Sequence, residues 1–457
     1  MMGGSQRGWR EVQQPPCSQR GRVPVGEDGG MSDAHQQSCV DPTASAALAR
    51  FLTQAVRSLD FADVPDAWNA GRPIGRMPGL DLAVIAFSAM GLTAAANVLF
   101  SPEYPQGRVA HLDAQTMAVD DIVFLPDVQD CEGRSPAWLP GAQRSLWLSV
   151  DAGSVPGHGE DKPRFIAPYP ASLIKLMVGV GVARLVDLGL ARWDDMCGPV
   201  AGGTARARTV ADCLDDMLAI SCNDATDCLV ALLHARGLIQ SGETTERNAL
   251  HDWFAQYGLR QLRLANTRPN GGWRNADGAG VGHLHMTAWD TARLLWLLMP
   301  DAPRAPWLDP GTPPLLQARS TAQLRLALAQ QGLHEVLSSG LLAGLDGWVP
   351  GIAARIPARW RHPEGGYAVA ARRYPPPRLP PPADADFGHK TGCTDTYCSD
   401  AGWVLGDDGR CYLVAMISTL GRRHAPPDVP LAATTWRIPM LGARIDAWVR
   451  DRTAALR

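Results

Sequence analysis

Only three of the 43 basic residues in this chain are lysines, and two of them stand in short motifs that contain a hydroxyl. Lys175 closes Ser172-Leu173-Ile174-Lys175, Lys390 opens Lys390-Thr391-Gly392, and Ser221-Cys222-Asn223 lies between them. Arginine stays protonated at any working pH, whereas a buried lysine can lose its proton and act as a base, or serve as a compact point charge toward a carboxylate. A fold that uses these residues together must bring a helix, a turn and a strand to one place. That requirement restricts the chain more than its composition does.

The local sequence assigns each motif to an element. Ala167-Pro168-Tyr169-Pro170 holds the chain extended, and Leu173, Leu176, Met177, Val180 and Ala183 then recur at helical spacing, so Ser172 is expected to open a buried helix. Residues three apart share a helix face, which turns the Lys175 amine toward the Ser172 hydroxyl near a helix N-terminus that favours negative charge. A serine N-cap followed by a lysine snorkelling to solvent is the alternative reading of the same string. The run Thr209 to Ile220 reads as a helix and Cys228 to Leu233 as part of a second, which puts Ser221 and Asn223 on one side of a turn between helices. There a hydroxyl can relay a proton and an amide can fix a carbonyl, although a plain capping turn has the same sequence. Lys390-Thr391-Gly392 reads as a strand, and Ala401–Gly406 with Cys411–Ile417 as a following antiparallel hairpin. Gly392 would let a substrate backbone approach that strand closely; a lysine on a solvent-facing edge strand is the plainer alternative.

In their order and surroundings these motifs resemble the class A β-lactamase-like family of penicillin-binding serine hydrolases. Pro170 to Leu176 looks like that family's nucleophile helix, Thr209 to Val230 like the helix pair around its second motif, and Met286 to Leu295 like the helix that follows its omega loop. The likeness spans roughly residues 140 to 450. It implies an α+β fold, an antiparallel sheet flanked by helices with a helical subdomain across the cleft. It also implies acyl transfer through an acyl-enzyme at Ser172, with Lys175 as its base and Ser221 as a proton relay. Asn223, Lys390, Thr391 and Gly392 would contact substrate, Lys390 and Thr391 anchoring its carboxylate. The backbone N–H groups of Ser172 and Cys393 would hold the oxyanion, each donor supplying about 3 to 4 kcal/mol of transition-state stabilisation. No cofactor and no metal are implied. The substrate would be a small-molecule β-lactam, with a peptidyl or ester substrate as the alternative, and a protein that is acylated without turnover is a third reading.

Two features depart from that pattern. The family's β-lactamases release the acyl group with an omega-loop glutamate acting through water, yet from Leu250 to Asp290 the acids are Asp252, Asp277 and Asp290 alone. Asp277 is one substitute, and His283 with His285 a second candidate base or a metal pair, while solvated loop polarity is the plainer reading of all three. The interval between Ser221 and Lys390 is also long, with Pro-rich insertions near 300–322 and 361–386; stiff proline runs there predict surface loops beside the cleft or plain linkers.

Residues 1–45 are Gly-, Gln-, Ser- and Pro-rich and are expected to be a disordered tail. Residues 46–139 form an N-terminal region of unassigned role, and 140–457 the hydrolase domain. Within the former, Leu48, Phe51, Leu52, Val56 and Leu59 predict a helix over 46–59. Leu82 to Phe100 is the most apolar stretch, interrupted by Ser88, Gly91, Thr93 and Asn97, and predicts a core element rather than a membrane span. No charged segment followed by an apolar one stands at the N-terminus, so the extracytoplasmic location the family implies has no visible signal behind it. A net charge of −3 with no basic run argues against nucleic acid. Ten cysteines with no C-x-x-C pair argue against zinc, and a bridge among Cys393, Cys398 and Cys411 is one option beside free buried thiols.

Overall fold

Strand β1 (Leu80–Phe87) is apolar on both faces and must be covered on both, which sets the layering of the whole molecule. The computed structural model describes residues 40–88, 91, 93–126, 147–148, 162–198, 207–241, 246–273 and 285–455. These all belong to the unit that begins at Ser38.

Helix α1 (Pro42–Arg57) opens on Asp41, whose carboxylate accepts from the Thr43 N–H at 2.8 Å, with Pro42 at the first helical position. Strand β1 is followed by β2 (Thr93–Phe100) and the short β3 (Arg108–Val109). The third motif lies on β4 (Ala385–Cys393), and β5 (Cys398–Gly406) and β6 (Cys411–Ser418) follow it as an antiparallel meander. The sheet order is β4-β5-β6-β1-β2-β3, antiparallel throughout. The chain thus begins the centre of the sheet with β1 and completes it some three hundred residues later, when β6 zips along β1 with Val414 opposite Val84.

One face of the sheet carries Leu82, Val84, Val98, Val404, Val414 and Met416, packed against Leu48, Leu52 and Val56 of α1 and Ile438, Leu441 and Ile445 of α8 (Arg437–Ala455). The other face carries Ala83, Ile85, Ala401, Trp403, Leu413 and Ala415 and meets the helical layer. That layer comprises α2 (Lys175–Asp187), α3 (Val210–Ala219), α4 (Asn223–Ala235), α5 (Ala249–Gln256), α6 (Ala288–Leu297) and α7 (Ala318–Ala329). Helix α2 is buried from Lys175 through Ala183, which makes it the axis of the layer. Helix α6 is tied to the sheet by Asp81 of β1, whose carboxylate takes the Ala288 N–H at 2.8 Å and the Asn97 amide at 2.7 Å; burial raises this carboxyl to about 6. The α+β architecture of an antiparallel sheet between helices is therefore present.

Three expectations need correction. The helix at Ser172 does not open as α: Ala171–Ile174 is a 3-10 turn, and α geometry starts at Lys175. Residues 46–139 do not stand apart, since they supply α1 and three of the six strands of the sheet that carries Lys390. The two Pro-rich insertions are not plain linkers. Leu315 and Leu316 are buried in the main core and α7 follows at once, while Tyr367–Val369 pairs with Arg372–Tyr374 as a hairpin whose Val369 and Tyr374 pack on Leu341, Leu342 and Ile356. Residues 1–39, Asp277 and His283 lie outside the described residues, while Pro42 to Ser45, expected in the disordered tail, form the first turn of α1. Among the described residues no helix is long and apolar enough to cross a membrane.

Candidate active site

The 3-10 turn bearing Ser172 is held against β4 and β5. Ser399 of β5 donates its hydroxyl to the Pro170 carbonyl at 2.6 Å, and Tyr169 meets Tyr397 edge to face with ring centroids 5.6 Å apart. Gly392 of β4 lies so close that a β-carbon there would sit 2.7 Å from the Ser172 nitrogen and 2.5 Å from the Pro170 carbonyl. Only glycine allows this approach, and it brings the first-turn N–H of Ser172 beside the end of β4. Ala171 has a φ of 50°, a left-handed conformation that costs a non-glycine residue roughly 1 to 3 kcal/mol. This strain falls immediately before Ser172.

Helix α3 starts with a reciprocal capping box between Thr209 and Asp212 and ends at Ala219, after which Ser221 turns the chain at a φ of 60° into α4. The left-handed serine directs both its carbonyl and its hydroxyl back toward α2. The Lys175 ammonium donates to the Ser221 carbonyl at 2.7 Å, the Ser221 hydroxyl at 3.1 Å and the Asn223 amide oxygen at 2.7 Å. Three acceptors match the three hydrogens of an ammonium, so the amine is fixed in position. Lys175 is 2% exposed and burial pushes its pKa down to about 8, against the pull of Asp227. The snorkelling alternative is thereby excluded for Lys175.

Lys390 is fully buried rather than lying on a solvent-facing edge, and it donates to the Thr391 carbonyl at 2.7 Å. Burial first, and the nearby Lys175 second, drive its pKa well below the ordinary lysine value, while Asp400 and Glu335 pull the other way. Behind it, His389 of β4 places Nδ1 2.7 Å from Asp400 of β5, and Asp400 also accepts the Leu337 N–H at 3.1 Å. Burial holds the His389 imidazole neutral. Segment 331–339 forms this floor: Gln331 donates to the Leu218 carbonyl at 2.8 Å, joining α3 to the sheet beneath the site. Sequence inspection gave no role to Gln331, Glu335 or Asp400. Their signal was weak, each standing beside another polar residue with no motif around it.

The structure therefore brings Ser172, Lys175, Ser221, Asn223, Lys390 and Gly392 into one region. Cys393 ends β4 as the register partner of Cys398, and both are free thiols. The other candidates separate from it. His285 is buried in a backbone bridge to Arg263, and burial lowers its pKa to about 3. Asp290 is committed to Arg293 at 3.0 Å and to the Gln261 N–H at 2.8 Å, and Asp252 is exposed on α5. Among the described residues no group of three or more His, Cys, Asp or Glu side chains is placed to hold a metal ion.

No protein-family model and no curated protein matches this chain. Solved structures do. PBP-A is 15% identical, with a TM-score of 0.41 over 89% of this chain and 95% of its own. A class A β-lactamase from Bacteroides cellulosilyticus is 13% identical, with a TM-score of 0.44 over 87% of this chain and 98% of its own. An ancestral class A β-lactamase is 15% identical, with a TM-score of 0.40 over 89% and 99%. At such identities and scores, the chemistry of this chain has to be argued from its own side chains.

Proposed function

We propose that this protein is a serine hydrolase that forms an acyl-enzyme at Ser172, with hydrolysis of a β-lactam amide as its leading activity. The observation that carries this reading is the Lys175 amine, buried, held by Ser221 and Asn223, and lowered to a pKa of about 8. At neutral pH a useful fraction of such an amine is unprotonated, and its driving force for proton transfer is well matched to the task.

In this mechanism the Ser172 hydroxyl attacks the substrate carbonyl carbon while Lys175 takes its proton. The oxyanion lies between the N–H groups of Ser172 and Cys393, which Gly392 keeps close to the strand. The proton reaches the leaving nitrogen through the Ser221 hydroxyl, 3.1 Å from the Lys175 amine. Lys390, with Thr391, anchors the substrate carboxylate. Burial and the nearby Lys175 disfavour the Lys390 ammonium, and an arriving carboxylate offsets that cost.

A D-alanyl-D-alanine peptidase or an esterase using the same residues is the second reading, favoured by the lack of glutamate between Leu250 and Asp290. An acylated sensor without turnover is the third. Intact mass followed over time after adding a penicillin, with Ser172→Ala alongside, tests all three. A Ser172-dependent adduct that appears and clears supports the β-lactamase. One that persists supports the peptidase or sensor, and an adduct equally present in Ser172→Ala would end the nucleophile assignment.

A further inference from the structure

We propose that the Asp227 carboxylate is the base that activates water to release the acyl group from Ser172, a role that rests on the acyl-enzyme reading above. Asp227 lies on α4 one turn beyond Asn223, and residues four apart share a helix face, so it projects on the side from which Asn223 reaches the Lys175 amine at 2.7 Å. The Asp227 charge and the Lys175 charge act on each other, each favouring the other's ionised form.

Asp227 is half-buried, and unlike Asp216, Asp290 or Asp81 it receives no hydrogen bond among the described residues. Burial and the neighbouring Asp224 hold its pKa above the ordinary carboxylate value, which makes it a stronger base than a solvated aspartate. The loop that faces it supplies two glycines in left-handed conformation. A β-carbon at Gly271 would come within 2.5 Å of the Asp227 carbonyl, and one at Gly272 within 3.4 Å of its carboxylate. The glycines let the loop come down onto α4 at Asp227.

The step balances without an outside reactant. Water oxygen bonds to the acyl carbonyl carbon and its proton passes to Asp227. The bond between that carbon and Ser172 Oγ then breaks, and the proton moves through the Lys175 amine to Oγ, leaving a free carboxylic acid and a restored serine.

The experiment is intact mass over time with penicillin G on the full-length protein and on Asp227→Asn and Asp227→Glu, repeated across pH. Asp227→Asn should still acquire the Ser172 adduct, its acylation rate being measured separately because the substitution also removes a charge that acts on Lys175, and should lose the adduct at least ~10²-fold more slowly, the usual contribution of a positioned base. Asp227→Glu should recover part of the clearance. Wild-type clearance should fall as pH drops through a carboxylate titration lying above the normal aspartate range. Clearance by Asp227→Asn at the wild-type rate, wild-type clearance that is flat with pH, or a wild-type adduct that never clears would each overturn the proposal while leaving acylation at Ser172 intact. Absence of any Ser172 adduct in the wild type would instead remove the acyl-enzyme reading, and this proposal with it.

Discussion

The Lys175 amine lies 2.7 Å from the Asn223 amide oxygen, and neither this acceptor nor the Ser221 groups that complete the set can ionise near neutral pH. The site therefore orients the amine without the strong stabilisation of charge that a carboxylate partner would give. Desolvation then dominates and lowers the pKa to about 8.

If Lys175 is the base, its free amine is the active form, and that form grows as pH rises through about 8. The rate of Ser172 acylation should accordingly increase with pH and level off above that value. Lys175→Arg should be nearly as damaging as Lys175→Ala, because guanidinium cannot give up its proton. Stopped-flow acylation across pH checks the profile, and an arginine variant that retains activity would refute the role.

Lys390→Ala should weaken carboxylate-bearing substrates more than neutral esters, by about tenfold or more in kcat/KM, since only the former gain from a buried cation. Equal losses on both substrate types would remove the anchor assignment.

Gly392→Ala should leave the protein folded but lower acylation by about 10²-fold. The added methyl meets the Ser172 nitrogen at 2.7 Å and the Ser399 hydroxyl at 2.5 Å, and displacing the nucleophile's turn by even an ångström is costly. Circular dichroism unchanged from wild type, together with slowed adduct formation by mass, is the expected pair of results.

Arg410 ties the tip of the β5–β6 turn to α8. Its buried guanidinium donates to Asp446 at 2.8 Å and also reaches Asp384 and Asp408. Arg410→Met should cost about 1 to 3 kcal/mol of stability, because the buried Asp446 loses its Arg410 donor and keeps only the Tyr412 hydroxyl at 3.0 Å and Arg450 at 3.1 Å. Denaturant unfolding measures this, and a loss below ~1 kcal/mol would mean that Tyr412 and Arg450 suffice for Asp446.

Much of the candidate site could be read before any coordinates, because the residues proposed to carry its chemistry are ones that local structure positions almost unaided. Ser172 and Lys175 are three apart, and an i, i+3 pair is neighbourly on either an α or a 3-10 turn, so mistaking one for the other did not displace them. Ser221 and Asn223 flank a turn whose helices are plain from their apolar spacing. The long-range partners were not legible. Glu335 reaches the neighbourhood of Lys390 only because 331–339 passes beneath the sheet, and nothing local in that stretch requires it, whereas Asp400 comes from the adjacent strand β5, opposite Thr391. Asp227 was hidden differently. At i, i+4 from Asn223 it was on the right face, but a polar residue on an amphipathic helix usually faces solvent, and only the approach of Gly271 and Gly272 distinguishes it.

By itself, then, the sequence determined which groups could do chemistry and on which elements they ride, since helical and strand periodicity are local and short motifs keep their geometry wherever the element is placed. Tertiary structure decided the rest. It set β1 beside β6 and β2 beside β1, making the N-terminal region part of the sheet that carries Lys390, and it removed Lys175 and Lys390 from water. Strand pairing across hundreds of residues and the burial of a charge depend on the sum of many distant contacts, and no window of sequence contains that sum.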